Sequence, residues 1–551
     1  MTPSAHVDTF ARERLPAPDL WPELLFDLPE LQYPARLNAA SALLDAQVAA
    51  GHGDRPALWQ LVDGKPVHAT YAQLQYRVNQ IARVLVEDLG LVPGNRVLLR
   101  GPNNPMMAAS WLAVVKAGLI AVGTMPLLRA KELQQIIERA QPRVALCDVA
   151  LWQDLATCTN PNGEHFCPSL ERICYFNEVE SGSLEDMLRA KPGTFRAVDT
   201  AADDVALIAF TSGTTGVPKG TMHFHRDILA MCDCFPRSIL KAGPDDIFCG
   251  TPPLAFTFGL GGMLAFPLRH GASTVLIEKA TPDLLLATIT TFKANTCFTA
   301  PTFYRQMARL ARNHDLRSLT KCVSAGEALP DATRRLFKKA TGIELIDGIG
   351  ATEMIHIFIS HTPEKMRRGA TGQAIPGYKA QVVDDAGKPS PPGVIGQLAV
   401  KGPTGCRYLD DPRQSDYVRN GWNITGDAYI MDADGYFHFQ SRTDDMIVSA
   451  GYNIAGPEVE DSLLAHPAVA ECGVVGVADT ERGQLVKAYV VLRRGQVGNA
   501  AMTKALQVHV KASIAPYKYP RAIAYVDKLP RTETGKLQRF KLREGARKPG
   551  G

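Results

Sequence analysis

The residues with the clearest chemical use form a loop of glycines, hydroxyl side chains and one lysine at positions 211–220. Glycines let backbone N–H groups approach an anion closely, hydroxyls add hydrogen-bond donors, and Lys219 adds positive charge. The loop departs from the Walker A pattern, because Pro218 stands where that motif has its second glycine. We therefore predict a polyphosphate-binding loop of another kind, with a solvated turn as the alternative. The predicted phosphate ligands are Thr211, Ser212, Gly213, Thr214, Thr215 and Lys219.

Five further motifs follow this loop in order, each containing glycine, charged or hydroxyl residues. They occupy residues 324–329, 347–353, 421–427, 441–445 and 530–536. Together with the loop they resemble the signature motifs of the adenylate-forming superfamily, which contains acyl-CoA ligases, luciferases and the adenylation domains of peptide synthetases. The resemblance is specific because all six motifs keep the order that they have in that superfamily.

The resemblance implies a two-step reaction. AMP is first transferred from ATP to a carboxylic acid with release of pyrophosphate, and the thiol of coenzyme A then attacks the mixed anhydride. Glu353 is the implied Mg²⁺ ligand, and Lys536 is expected to stabilise charge between the substrate carboxylate and the α-phosphate. Asp427 would accept hydrogen bonds from the ribose hydroxyls, reinforced by Arg442. The remaining implied contacts to ATP or AMP are Gly326, Glu327, Asp347 and Thr352, of which Thr352 is also assigned a catalytic role.

The chain is long enough for more than one domain, since 551 residues exceed what a single core usually supports. Strand-like runs such as 273–277 and 296–299 alternate with helical stretches such as 131–140, which predicts a parallel α/β architecture. Short β runs between 372 and 400, separated by turns that contain glycine and proline, predict a small antiparallel or barrel-like subdomain. We expect a large N-terminal domain of two doubly wound α/β subdomains and a small β-barrel-like subdomain, followed by a small, mobile α+β C-terminal domain. The predicted boundaries are 1–443 and 444–551. The resemblance implies that Asp444 is the hinge between two catalytic orientations and that Gly451 lets pantetheine pass close to the backbone.

Two stretches point to an aromatic acid as the substrate. Residues 252–262 lie where the superfamily builds its acyl pocket, and residues 347–360 continue past the glycine-rich motif. Both resemble the benzoate–CoA ligase branch, and the first is most similar to 2-aminobenzoate–CoA ligases. Glycines along one wall would let a flat ring lie against the backbone. The predicted pocket residues are Ala255, Phe256, Gly348, Ile349, Gly350 and His356.

Two of these pocket residues leave questions open. Ile349 replaces the aromatic residue that the superfamily usually has near the adenosine, so stacking at that position is not expected to be retained. His356 could meet an ortho substituent or orient the carboxylate, or it could be a buried structural histidine.

Other functions remain as alternatives. Benzoate, a hydroxybenzoate or a medium-chain fatty acid could be the substrate, because apolar walls do not distinguish a ring from a chain. An amino-acid adenylation domain fits less well, since residues 255–257 contain no acid to pair with an α-ammonium group. A luciferase-like oxygenase and a non-catalytic ATP-binding regulator are the remaining alternatives. Glu353, Asp427 and Lys536 argue against the regulator.

The bulk composition fits a cytoplasmic enzyme without a nucleic-acid or membrane partner. The net charge is only +4, and the longest apolar region is interrupted by Lys116 and Gly118. The 11 cysteines are scattered, which favours reduced thiols. The expected partners are a small aromatic carboxylate, ATP and coenzyme A. We expect the protein to be a monomer or a homodimer.

Overall fold

The computed structural model describes residues 2–211, 218–442, 445–449, 452–479, 482–514, 516–531 and 537–547. Within these ranges the strands form four sheets, two of which have parallel centres covered by helices. The predicted alternation of strands and helices is confirmed, and with it the α/β fold class. None of the described helices is long and apolar enough to cross a membrane.

The first α/β sheet has six strands and is parallel except for the pair at one edge. All five residues of Arg96–Arg100 and of Val144–Asp148 are buried, as expected where helices cover both faces of a parallel sheet. The antiparallel edge pair holds the ends of the predicted phosphate loop. In spatial order the strands are Arg172–Phe176, Val144–Asp148, Arg96–Arg100, Ile120–Thr124, Val205–Thr211 and Lys219–Phe224.

The second α/β sheet has nine strands, with a parallel centre and antiparallel pairs at both edges. The predicted strand at 296–299 is confirmed, and the predicted strand at 273–277 is observed as Ser273–Val275. In spatial order the strands are Gln373–Ala374, Ile357–Ser360, Leu345–Gly350, Lys321–Ser324, Thr296–Thr299, Ile247–Gly250, Ser273–Val275, Pro56–Val62 and Lys65–Thr70.

Amphipathic helices cover these sheets. In Ala130–Ala140 the buried positions Leu133, Ile136 and Ile137 follow the helical period that predicted this element. The α-helices of the described residues are Phe10–Glu13, Tyr71–Arg83, Pro105–Lys116, Ala130–Ala140, Trp152–Ala156, Leu184–Leu188, His225–Phe235, Thr257–Leu260, Phe266–Arg269, Pro282–Phe292, Pro301–Leu310, Asp331–Thr341, Gln414–Tyr417, Gly456–Ala465, Ala500–Ser513 and Arg539–Arg547.

A third, antiparallel sheet corresponds to the predicted β-barrel-like subdomain and carries the ribose motif. It extends further along the chain than the short β runs that suggested it, because the strand containing Asp427 pairs with the strand that ends at Arg442. A tight turn at Gly387 (φ 77°) follows the first strand, as the glycine in that segment predicted. The strands are Lys379–Val383, Ile395–Lys401, Val418–Arg419, Trp422–Met431 and Phe437–Arg442.

The C-terminal part has its own sheet and its own apolar core. The core cluster that contains Ile447, Val474 and Val510 draws all its buried members from residues 447–510. The predicted boundary between 443 and 444 stays a prediction, because Asp444 lies outside the described residues. The strands are Ile447–Ser449, Tyr452–Ile454, Val469–Asp479, Gly483–Leu492 and Ala522–Tyr525.

Candidate active site

The two ends of the predicted phosphate loop face each other across an antiparallel strand pair. Thr211 is paired in register with Lys219. The Oγ1 atom of Thr211 is buried and has no hydrogen-bond partner within the described residues. Ser212, Gly213, Thr214 and Thr215 lie outside the described residues, so their predicted contacts stay predictions. The strand pairing thus places a buried hydroxyl and a lysine at the mouth of the same loop.

Glu353 lies at the centre of a buried polar network. It belongs to the short turn Thr352–Met354, which follows the strand Leu345–Gly350. The hydroxyl of Tyr408 donates to Oε1 of Glu353 at 2.6 Å and lies 2.7 Å from Nζ of Lys219. Nζ of Lys219 is 3.5 Å from the same Oε1 atom. Burial, followed by the charge of Glu353, holds the pKa of Tyr408 far above its usual value, so this hydroxyl stays protonated and can donate.

The surroundings of Glu353 fit a hard divalent cation. Within the described residues both of its polar contacts fall on Oε1, and the carboxylate is largely buried beside the phosphate loop. Mg²⁺ usually takes one or two protein carboxylates and completes its coordination with phosphate oxygens and water. The described residues contain no group of three or more His, Cys, Asp or Glu side chains placed to hold a metal. Glu353 is thus a single buried carboxylate beside Lys219, a donor of the kind that Mg²⁺ uses together with phosphate oxygens.

The predicted ribose residues lie next to each other on paired strands. Asp427 and Arg442 are in register, and Nη1 of Arg442 donates to Oδ1 of Asp427 at 2.8 Å. The charge of Asp427 is the main cause of the raised pKa of Arg442, and Glu353 also contributes. Glu353 and Asp427, which are 74 positions apart in the sequence, therefore both act on the charge of Arg442.

The strand Leu345–Gly350 contains residues predicted to contact the nucleotide and residues predicted to contact the aromatic ring of the substrate. Asp347 lies in the strand Leu345–Gly350, and burial raises the pKa of its carboxyl to about 7. Ile349 and Gly350 end the strand and are more accessible than the residues before them. The turn that follows contains Ile355 at a φ of 63°, which is strained for a β-branched residue. Backbone strain of this kind persists only where the surrounding structure enforces it, so the residues packed around Ile355 hold this bend in place.

Of the predicted pocket residues, Gly350 and His356 lie next to each other at the end of this strand. Ala255 and Ile349 are partly buried and pack against one apolar core, in which the neighbouring residues Leu254 and Ile355 are also found. A side-chain carbon at Gly350 would come within 2.7 Å of the backbone of His356, so only glycine fits that position. Phe256 is partly exposed just before the helix Thr257–Leu260.

His356 is fully enclosed by aromatic rings. Burial lowers its pKa to about 3 against a smaller opposing effect of the Phe258 backbone, so the imidazole is neutral near pH 7. Within the described residues neither ring nitrogen has a hydrogen-bond partner of acceptable geometry. The histidine is therefore buried among apolar rings, with the Phe258 backbone as its polar neighbour within the described residues. The rings that surround it are those of Phe235, Phe258, Phe266 and Phe298.

The structure gives Glu327 partners that the sequence did not indicate. Gly326, at a φ of 88°, turns the chain after the strand Lys321–Ser324. The carboxylate of Glu327 then accepts from Thr302 at 2.8 Å and from Arg531 at 3.0 Å. Sequence reasoning also missed Tyr408, which lies in none of the motifs, and it gave no role to Arg531, although that residue lies in the motif of residues 530–536.

Three predicted residues lie outside the described residues, so their roles stay predictions. They are Lys536, assigned to the adenylate-forming step, the hinge residue Asp444, and Gly451, assigned to the passage of pantetheine. The loop that contains Lys536 is nevertheless anchored at its two ends, because Arg531 and Leu537 form an antiparallel bridge.

The family models and relatives that match this chain are AMP-binding enzymes and CoA ligases. The profile of the AMP-binding enzyme family matches residues 45–407, and that of the AMP-binding enzyme C-terminal domain matches residues 458–536. The benzoate–CoA ligase of Thauera aromatica is 34% identical over 522 residues, which cover 94% of this chain and 97% of the relative. The 3-hydroxybenzoate–CoA ligase of Aromatoleum sp. (strain CIB) is 30% identical over 518 residues, covering 92% of this chain and 97% of the relative.

Two solved structures of CoA ligases have the same fold as this chain. An anthranilate CoA ligase, AuaEII, in complex with anthranoyl-AMP superimposes with a TM-score of 0.88 at 34% identity, covering 94% of this chain and 99% of that one. A benzoate CoA ligase from Burkholderia xenovorans LB400 gives 0.83 at 30% identity, covering 92% of this chain and all of that one (100%). The predicted acid–thiol ligase class and the predicted fold of a large N-terminal and a small C-terminal domain are confirmed. The chain belongs to the AMP-binding enzyme family, in the branch that contains the benzoate–CoA ligases.

Proposed function

We propose that the protein is an AMP-forming aryl-CoA ligase that converts 2-aminobenzoate, ATP and coenzyme A to 2-aminobenzoyl-CoA, AMP and pyrophosphate. In the first step the carboxylate of the acid attacks the α-phosphorus of ATP, and pyrophosphate leaves. In the second step the sulfur of coenzyme A attacks the acyl carbon, and AMP leaves. Benzoate and hydroxybenzoates are the alternative substrates. The proposal includes a cytoplasmic location and a monomer or homodimer.

The proposed roles follow from the contacts around the phosphate loop. Lys219 and the backbone of the loop would bind the phosphates of ATP, while Asp427 would accept from the ribose hydroxyls and Arg442 would fix its orientation. Glu353 would hold Mg²⁺, which when bound neutralises charge on the triphosphate. Tyr408 would keep the Glu353 carboxylate in place through its 2.6 Å hydrogen bond. Lys536 would stabilise charge at the α-phosphate as it develops.

The observation that carries the choice of an ortho-substituted ring is the state of His356. Its imidazole is neutral, and within the described residues its polar neighbour is the backbone of Phe258, with which it makes no hydrogen bond of good geometry. A neutral imidazole can accept from an amine and donate to an oxygen, whereas a carboxylate in its place would select a cation. Gly350 is packed next to the backbone of His356 and Gly261 next to its imidazole, so a ring lying against Gly350 would come near this residue. The anthranilate CoA ligase among the structural neighbours supports the same substrate.

The first test compares substrates. Purified protein with ATP, Mg²⁺ and coenzyme A is expected to form AMP faster with 2-aminobenzoate than with benzoate, 2-hydroxybenzoate, 3-hydroxybenzoate or octanoate. At equal subsaturating concentrations we expect an advantage of about tenfold, or ~1.4 kcal/mol of transition-state discrimination. A lead for benzoate or a hydroxybenzoate would keep the aryl-CoA ligase and change its substrate. A lead for octanoate would overturn the aryl assignment.

The second test concerns His356. Replacing His356 with leucine is expected to lower kcat/KM for 2-aminobenzoate relative to benzoate by about tenfold, because leaving a buried polar group of the substrate without its hydrogen-bond partner costs ~1–3 kcal/mol. Benzoate, which has no ortho substituent, serves as the internal control, and thermal unfolding reports whether the variant is folded. An equal loss for both acids would show that His356 supports the pocket without recognising the substituent.

A further inference from the structure

His223 is a fully buried histidine on the strand Lys219–Phe224, four positions after the lysine at the end of the phosphate loop. Its Nε2 atom lies 2.8 Å from the carbonyl oxygen of Thr352, the residue before Glu353. A carbonyl oxygen can only accept a hydrogen bond, so Nε2 carries a proton and donates it to this oxygen. The contact joins two segments that are 129 positions apart in the sequence.

Lys219 and His223 lie on the same face of their strand. Side chains alternate between the two faces of a strand, and the pairing of this strand with its neighbour is regular from Lys219 to His223. Nζ of Lys219 is 3.5 Å from Oε1 of Glu353, while His223 contacts the carbonyl oxygen just before that residue. One face of this strand therefore contacts both the side chain and the backbone of the turn Thr352–Met354.

The segment that contains Tyr408 contacts the other side of this turn. Oγ1 of Thr404 donates to the carbonyl oxygen of Met354 at 2.9 Å, and the Tyr408 hydroxyl donates to Glu353. Tyr408 also forms an antiparallel bridge with Thr221, which lies on the same strand as the histidine. The backbone oxygens on both sides of Glu353 are thus each bound by a side chain from another element.

The other nitrogen of the His223 ring faces a buried ion pair. Oδ2 of Asp227 is 3.9 Å from Nδ1 of His223, which is too far for a hydrogen bond. The same oxygen accepts from Nη1 of Arg407 at 2.8 Å and from the backbone N–H of Phe224 at 2.9 Å. Asp227 is therefore held by donors of its own, and the hydrogen bond of His223 within the described residues goes to Thr352.

We propose that His223 is a positioning residue for the adenylate-forming step: its Nε2–H holds the carbonyl oxygen of Thr352 and thereby places the carboxylate of Glu353 to bind Mg²⁺. The inference rests on the proposed function, which makes Glu353 the metal ligand. The strand that follows the phosphate loop then sets the position of Lys219 and, through His223, that of the metal ligand. A displacement of about 1 Å in such a group can lower a rate strongly, so a backbone hydrogen bond at this point affects the chemistry.

The first test observes the imidazole in the full-length protein without Mg²⁺ or ATP. In protein labelled with ¹⁵N-histidine, the signals that disappear in a His223 variant belong to His223. Nε2 is expected to carry a proton, because the ¹⁵N chemical shift of an imidazole nitrogen differs between its protonated and bare forms. A bare Nε2 would overturn the proposal, since such a nitrogen cannot donate to a carbonyl oxygen.

The second test measures metal binding in two variants of different reach. The amide nitrogen of glutamine is as many bonds from Cα as Nε2 of histidine, whereas that of asparagine is one bond closer. His223→Asn is therefore expected to weaken binding by about fivefold, the effect of losing one hydrogen bond, and His223→Gln should stay within about twofold. The probe is Mn²⁺, which binds the same oxygen ligands as Mg²⁺, titrated by electron paramagnetic resonance with an ATP analogue that has a methylene group between its α- and β-phosphorus atoms.

A general loss of packing would act on every ligand, whereas the loss of this contact should act on the metal. In His223→Asn the Mg²⁺ concentration for half-maximal pyrophosphate release should rise by about fivefold, while KM for 2-aminobenzoate stays within about twofold. His314→Asn is the matched control, because it removes a histidine whose Nε2 contacts the exposed Asp283 at 2.9 Å, and it should leave Mn²⁺ binding unchanged. An equal loss of Mn²⁺ affinity in His223→Asn and His223→Gln, or a loss in neither, would overturn the proposal.

Failure of the proposed function would appear elsewhere. If the unmodified protein activates no aromatic acid, or if Glu353→Gln keeps its Mg²⁺ dependence, the proposed function or its metal ligand is wrong, and neither result requires a change at His223. A failure of the positioning proposal appears in the nitrogen signals of His223 and in the ratio of Mn²⁺ affinities between its two variants.

Discussion

Replacing Lys536 with alanine is expected to lower acyl-adenylate formation by on the order of 10²–10³-fold, the usual effect of removing a group that stabilises charge in a transition state. Thioester formation from supplied acyl-adenylate should continue, because in that step the thiol attacks the acyl carbon and no bond to the α-phosphorus forms or breaks. Pyrophosphate release in a single turnover measures the first step, and thioester formation from 2-aminobenzoyl-AMP and coenzyme A measures the second.

The control for this variant is Lys528→Ala. Lys528 is exposed and lies eight residues before Lys536, so its loss changes the net charge of the same region without touching the loop. It should retain both half-reactions. An equal loss of both half-reactions in Lys536→Ala would contradict the assignment of this lysine to adenylation, and full retention of pyrophosphate release would remove it from the mechanism.

Replacing Glu353 with glutamine is expected to have the second large effect, a loss of roughly 100-fold in pyrophosphate release. The change keeps the size of the side chain but removes the charge that would bind Mg²⁺. It also leaves Lys219 without the carboxylate that lies 3.5 Å from its Nζ. The measurement is the rate of pyrophosphate release against Mg²⁺ concentration at saturating ATP, where the variant should need more Mg²⁺ to reach half of its own maximum.

Two further variants test whether the lower pyrophosphate release of Glu353→Gln comes from the loss of this particular carboxylate. Tyr408→Phe removes the hydrogen bond to Oε1 of Glu353 and the one that Nζ of Lys219 donates to the tyrosine hydroxyl, and it should cost about tenfold or more, since a hydrogen bond to a charged group contributes ~1.5–3 kcal/mol. Glu364→Gln removes an exposed carboxylate and should have no effect. If the Mg²⁺ dependence of Glu353→Gln were unchanged, the carboxylate would not be the metal ligand.

The sequence alone was sufficient for the reaction class and for much of the fold. A phosphate loop, a strand and a turn are local features, so glycine spacing, hydroxyl content and hydrophobic period predict them directly. This is why the strand at 296–299 and the helical period of Ala130–Ala140 appeared in the structure as expected. The residues that carry most of the proposed chemistry lie inside motifs and could be found in the same way.

The tertiary structure decided which partners those residues have. Tyr408 is separated from Glu353 by 55 positions and from Lys219 by 189, and no period or spacing in the sequence encodes such a contact. The fold had to bring the antiparallel edge strands, the turn after Gly350 and the segment around Tyr408 together before their network existed.

The tertiary structure also decided the surroundings of His356 and Arg531. The sequence left the role of His356 open, because enclosure by four aromatic rings depends on the packing of the helix Thr257–Leu260 against the strand Thr296–Thr299 and other elements. Arg531 and Glu327 are 204 positions apart and meet only because the C-terminal sheet lies against the N-terminal part. Local motifs fix the identity of a reactive group, whereas its hydrogen bonds, burial and pKa depend on residues that only packing brings near.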